Sequence, residues 1–211
     1  MAINLQKGQT INLEKNQFDL SSVTMGLGWD VKKPGGLLSG LFGKAQNDYD
    51  LDAIAFLLDA NDQVAYLGNE KLVGGDVIFF NNMTHPTRQI WLTGDNRSGA
   101  GDGDDEQIIV KLNSLDTRYQ KILFLVTIYQ GIQNNQHFGQ VENAFIRAVD
   151  GRGVEMARFS LSTDASFNGM CSMLFAEVYR HAGGWKFRAV GNPYQTDTFA
   201  HLLKNYLPTR A

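Results

Sequence analysis

Apolar residues in this chain recur at short intervals and mostly with period two, the spacing that puts alternate side chains on one face of a β-strand. In Ser22-Val23-Thr24-Met25-Gly26-Leu27-Gly28-Trp29 the odd positions are apolar and the even ones small or polar, which predicts a strand with one buried face. Leu51–Leu58 is apolar except at Asp52 and predicts a strand buried on both sides. The same reading places strands over 9–13, 77–80, 107–112, 121–129, 144–149, 154–161, 173–179 and 185–190. The run 122–128 is apolar enough for a buried helix, but its β-branched and aromatic content favours a strand. Asp150-Gly151-Arg152-Gly153 and Ala182-Gly183-Gly184 carry the turn chemistry of hairpins.

Helical spacing is convincing only near the end of the chain. Thr196 or Thr198 can cap a helix with Asp197 in its first turn, Phe199, Leu202, Leu203 and Tyr206 fall on one face, and Pro208 ends it. Many short strands and one late helix predict an all-β fold, a two-sheet β-sandwich with a short C-terminal helix. No internal repeat or linker divides the chain, so 1–211 reads as a single domain. Residues 31–49 read as a glycine-rich loop insertion. Within it, 34–45 mixes glycines with Leu37, Leu38, Leu41 and Phe42. This segment suits a loop between strands or, on a sharper reading, an apolar patch for a partner or for self-association. It is not a phosphate loop, because Leu38 stands at the first required glycine and Ala45 at the magnesium-binding hydroxyl.

Composition adds limits. Of 211 residues, 43% are hydrophobic, enough for a sizeable core, and 19% are charged, too few for long disordered tracts. The net charge of −3 argues against a broad nucleic-acid-binding face. The N-terminal residues have no sustained apolar stretch resembling a signal peptide, and no run approaches the roughly 20 apolar residues of a transmembrane helix. Cys171 is the sole cysteine and cannot form an internal disulfide, so the expected location is cytoplasmic.

The acidity is concentrated in one place. Gly94-Asp95-Asn96-Arg97-Ser98-Gly99-Ala100-Gly101-Asp102-Gly103-Asp104-Asp105-Glu106 holds five carboxylates and an amide in thirteen residues, broken by four glycines. This run carries −4, which leaves +1 for the remainder of the chain. Repulsion at that density, added to the backbone entropy of glycine, is offset if a hard divalent cation binds, and calcium takes about six to eight oxygen ligands. The run is not an EF-hand, since Gln107 stands where the turn glycine belongs and a strand follows. Nor is it a dinucleotide loop, since it opens no helix and would repel a pyrophosphate. Zinc is disfavoured without clustered thiols or imidazoles. Other polar residues stand at strand edges: Asp30 after Trp29, Asp50 and Asp52 two apart at the start of the next strand, and Asn81 and Asn82 after 77–80.

These motifs carry a resemblance. Gly26-Leu27-Gly28-Trp29-Asp30, Asp50-Leu51-Asp52 and the apolar run after it, Asn81-Asn82-Met83-Thr84-His85-Pro86 and the acidic run resemble the TerD-type tellurium-resistance and general stress proteins. Asn143-Ala144-Phe145-Ile146-Arg147, Glu155-Met156-Ala157-Arg158-Phe159 and Glu177-Val178-Tyr179-Arg180 extend the likeness over nearly the whole chain. The resemblance implies a bacterial calcium-binding β-sandwich domain with no established catalytic activity. It also implies work in multiprotein complexes with other stress or tellurium-resistance proteins near the inner membrane surface. It assigns metal binding to Asp30, Asp50, Asp52, Asp95, Asp102, Asp104, Asp105 and Glu106, supported by Asn96 and loop carbonyls. That many oxygens suggests two Ca2+ ions.

The leading expectation is therefore a calcium-ordered scaffold or sensor. Two alternatives stay open: a calcium-bridged membrane or glycan binding module, and a metal-dependent phosphoester hydrolase. The histidines His85, His137, His181 and His201 are scattered, and His85 before Pro86 reads as a turn-shaping residue. Met170, Cys171 and Met173 read as strand packing. Arg147, Arg158, Arg180 and Arg188 read as solvent-facing residues of late strands, with a basic strip as the alternative.

Overall fold

The computed structural model describes residues 2–31, 49–93, 103–161 and 165–208. Twelve strands among them form two six-stranded sheets. The first runs β1 (Ile3–Leu5), β10 (Glu155–Ser160), β9 (Val141–Val149), β3 (Val23–Val31), β7 (Glu106–Val110), β6 (Ile90–Leu92). The second runs β2 (Thr10–Leu13), β12 (Gly184–Tyr194), β11 (Ser172–His181), β8 (Lys121–Ile128), β4 (Leu51–Leu58), β5 (Val77–Ile78). The β1–β10 pair is parallel and the others are antiparallel.

The alternation in β3 does what its spacing predicts. Val23, Met25, Leu27 and Trp29 are buried and share one core with Ala53, Ala55 and Leu57 of β4 and Phe124, Val126 and Ile128 of β8. The intervening residues of β4, Ile54, Phe56 and Leu58, join a second cluster with Leu123, Leu125, Val77, Leu202 and Leu203. That cluster exists because the C-terminal segment lies over the outer face of the second sheet. The Phe56 ring sits 6.2 Å from Phe199 and 5.9 Å from Tyr206, and Phe79 sits 5.0 Å from Phe199. The Val64 N–H donates to the Tyr206 carbonyl at 2.7 Å. Each large apolar side chain so covered contributes about 1.5–3 kcal/mol relative to exposure.

The helix occupies Phe199–Leu203 and tightens into a 3-10 turn over Lys204–Tyr206. Its cap differs from expectation. Thr198 is the N-cap but makes no side-chain cap bond; its N–H donates instead to Thr196 Oγ1. Asp197 lies outside the first turn and accepts the Ile132 N–H at 3.2 Å. The strand expected over 77–80 pairs only through Val77–Ile78. Asn82 ends it by folding back, donating to the carbonyls of Gly75 and Val77, so this amide is structural. The three-residue strands β1 and β6 are too short to carry a legible period.

Both expected hairpins form. Ala182 (φ 48°) and Gly183 (φ 78°) make the two-residue turn between β11 and β12, with the positive φ pair of a type I′ turn. Between β9 and β10, the Asp150 carboxylate accepts the N–H groups of Asp19 (3.0 Å), Arg152 (2.9 Å) and Val154 (2.8 Å). Burial pushes this carboxyl up, but the backbone donors and the Arg152 guanidinium outweigh burial and hold it at about 2. A folded value below the unfolded one, about 3.9, contributes stability above about pH 4 that is lost as pH falls towards 2. Asp150→Asn is therefore expected to flatten the acid limb of the pH–stability curve, followed by urea unfolding in pH steps. An unchanged limb would remove Asp150 from the acid response.

Candidate metal centre

Strand β3 carries its acid to one rim of the sandwich. Its pairing with β9 shifts register between Gly28 and Asp30. There Asn143 adopts a left-handed conformation (φ 52°), which asparagine tolerates well, and its Nδ2 donates to Asp30 Oδ2 at 2.8 Å. On the other side of β3 the chain enters β7 through Asp104 and Asp105. The Asp105 N–H donates to the Leu27 carbonyl at 2.7 Å, and the Trp29 N–H donates to Asp105 Oδ2 at 2.9 Å. These bonds prolong the β3–β7 ladder and set Asp105 beside Asp30. Burial raises the Asp105 carboxyl above its usual range; the Trp29 N–H opposes this, and the charges of Asp30 and Asp104 add to it.

Glu106 connects this rim to the second sheet. It pairs with Leu27, faces inward and is 3% exposed. Its Oε2 accepts the Ala53 N–H of β4 at 2.5 Å. Asp52 directly precedes Ala53 and lies opposite Thr127 of β8, while the Asp50 carbonyl accepts the Tyr129 N–H at 2.8 Å. Glu106, which follows Asp105 in the chain, thus ties the edge that carries Asp30 and Asp105 to β4 directly after Asp52. The side-chain donors are all oxygen, the chemistry of a hard cation such as calcium rather than zinc. Among the described residues, no three His, Cys, Asp or Glu side chains surround one metal position. Asp95, Asn96 and Asp102 lie outside the described residues.

Asp104 stands apart from this set. Its carboxylate turns to the outer face of the first sheet and accepts Arg147 Nε at 2.7 Å and Arg147 Nη2 at 3.1 Å. The side chain is 2% exposed and lies where a Cβ on Gly26 would be.

Of the late arginines, Arg188 is exposed as expected, at 46%, whereas Arg147, Arg158 and Arg180 are half-buried, and all four are engaged by acids or carbonyls rather than forming a free basic strip. Arg147 holds Asp104 and Glu155, Arg158 holds Glu155 and covers the Phe145 ring at 4.1 Å, and Arg188 holds Glu177. Arg180 donates to the carbonyls of Tyr119 and Leu115 and stacks on Trp185. His85 does more than shape a turn: it is buried with Asp76 and Tyr119 in a hydrogen-bonded triad. Cys171 is buried, its thiol raised chiefly by that burial, in keeping with packing rather than thiolate chemistry. Spacing alone did not single out Arg147 or Asn143 as partners of the acids, because both pairings depend on strand order.

Comparison with known proteins agrees with this architecture. The sequence profile of the TerD domain matches residues 1–206. Tellurium resistance protein TerX of Serratia marcescens is 56% identical, with 98% of this chain and all of that protein covered. General stress protein 16U of Bacillus subtilis (strain 168) is 39% identical over 92% of each chain. A crystal structure of a homologue of telluride resistance protein (TerD) from Streptomyces coelicolor A3(2) superposes with a TM-score of 0.61 at 22% identity, covering 89% of this chain and 99% of that one, a likeness of fold. Among the described residues no helix is long and apolar enough to cross a membrane.

Proposed function

Because the chain belongs to the TerD family, we propose that it is a non-enzymatic, calcium-ordered binding protein of the bacterial stress response. The carboxylates of Asp30, Asp50, Asp52 and Asp105 would hold the metal, with Asp95, Asn96 and Asp102 as further donors and Glu106 fixing the two sheets together beneath it. The cation would supply positive charge where acids crowd one another, and two ions suit the number of oxygens. The rim so ordered is the surface offered to sister stress proteins in a cytoplasmic assembly near the inner membrane. The observation that supports this reading is the convergence of acids from separate strands: Asp105 stands beside Asp30 at the end of β3, and Glu106, next in the chain, reaches the Ala53 N–H directly after Asp52.

The reading is tested by calorimetric titration of calcium into the wild type, Asp52→Asn and Asp105→Asn. Asp52 lies in β4 of the second sheet, and Asp105 directly precedes β7 of the first. Each is expected to weaken calcium binding at least about tenfold, since each removes a charged oxygen from one shared sphere. Wild-type affinity in either variant would separate the two halves of the rim and defeat the shared site.

A further inference from the structure

Strand β3 is bare where the acidic segment meets it. A Cβ on Gly26 would fall 2.1 Å from Asp104 Oδ2, and one on Gly28 would fall 2.5 Å from the Phe145 ring and 2.7 Å from the Gly103 carbonyl oxygen. Residues 103 and 104 therefore rest directly on the backbone of β3. Arg147 of β9, paired across from Gly26, closes over them. Its Nε and Nη2 take both oxygens of Asp104, and its Nη1 reaches Glu155 Oε2 at 3.0 Å. Glu155 is gripped from its far side by Arg158 Nε at 2.9 Å. Gln107 Nε2 adds a longer bond to Asp104 at 3.3 Å. The bidentate geometry fixes the direction of the Asp104 side chain as well as its position.

We propose that Arg147 is a positioning residue for the calcium rim: by clamping Asp104 onto the glycine face of β3, it sets where Asp105 and Glu106 stand. This inference rests on the calcium reading above. Asp104 and Asp105 are adjacent, so the clamp and the Trp29–Asp105 bond fix the backbone between them from opposite directions. The arrangement also divides labour among neighbouring acids. Arg147 neutralises Asp104 outside the rim and leaves the cation to the others.

Calorimetric calcium titrations of wild type, Arg147→Met, Arg147→Lys, Gly26→Ala and Arg188→Met test the inference, with circular dichroism confirming that each protein is folded at the titration temperature. Arg147→Met and Gly26→Ala remove no rim oxygen, yet both are expected to weaken calcium about 10- to 100-fold, the usual loss when a residue orienting a ligand is removed. Arg147→Lys keeps the charge without the planar fork and falls between, which also serves if the methionine variant does not fold. Arg188→Met loses an ion pair on the other sheet and keeps wild-type affinity. A purely structural role would lower melting temperature in chelator while leaving the dissociation constant of the folded protein unchanged. Wild-type affinity in folded Arg147→Lys and Gly26→Ala overturns the clamp alone. Absence of calcium binding by the wild type overturns the calcium reading, and the clamp with it.

Discussion

Calcium at a hundredfold excess over its dissociation constant is expected to raise the melting temperature by about 5–11 °C. Binding only the folded state at that excess contributes about 2.7 kcal/mol, and a domain of this size gains about 2–4 °C per kcal/mol. The driving force is local, since the charge of Asp30 already bears on Asp105 in the folded chain. Magnesium is expected to give a smaller shift, because it demands tight octahedral geometry and holds its water. Sodium chloride at equal ionic strength separates coordination from screening, whose reach is about 8 Å at physiological salt. Scanning calorimetry from a chelator baseline measures all three. Equal shifts in calcium, magnesium and sodium would mean that the rim is merely being screened.

Asp76→Ala is expected to lower the free energy of unfolding by about 3–5 kcal/mol, because it leaves two buried donors and one part-buried donor without an acceptor at about 1–3 kcal/mol each. Asp76, His85 and Tyr119 are each at most 2% exposed. Asp76 Oδ1 accepts the Tyr119 hydroxyl at 2.6 Å and lies 3.2 Å from His85 Nε2; Oδ2 accepts the Tyr66 N–H at 3.1 Å. The Thr87 N–H donates to His85 Nδ1, which leaves Nε2 as the ring donor towards Asp76 in the neutral imidazole. Burial pushes the Asp76 carboxyl up, yet the bonds from His85 and Tyr119 outweigh it and hold it below its ordinary range. Its contribution is thus present above about pH 4 and lost as pH falls through the lowered folded value. Removing the carboxylate strands two side chains and a backbone donor, whereas Tyr119→Phe removes one bond and should cost about 1 kcal/mol. Urea unfolding at pH 7 separates the two variants. A loss of under 1 kcal/mol for Asp76→Ala would mean that water takes over its bonds.

How far this was legible in the sequence depends on the range of each interaction. β3 and β4 were readable because their burial is written in the alternation of Val23, Met25, Leu27 and Trp29 and in the unbroken apolar run after Asp52. The hairpin turns were readable because positive φ selects glycine locally. The partners of the acids were not. Arg147 meets Asp104 only because β9 and β7 flank β3 on opposite sides, an order that no local pattern encodes. Similarly, Asp76 and Tyr119 are 43 residues apart and meet only through tertiary packing. Glycines 26 and 28 looked like the small half of an alternating strand, and only the fold shows that their missing side chains make room for residues 103 and 104.

The cover over the second sheet has a consequence for biosynthesis. Leu51–Leu58 leaves the ribosome about 140 residues before Phe199–Leu203, which shields its outer side. At about 5–20 residues per second, the nascent strand waits some 7–30 s with that greasy surface unsheltered. For that interval its protection from sticky encounters with other chains falls to cellular chaperones, and slowing translation between the two segments would lengthen the exposure.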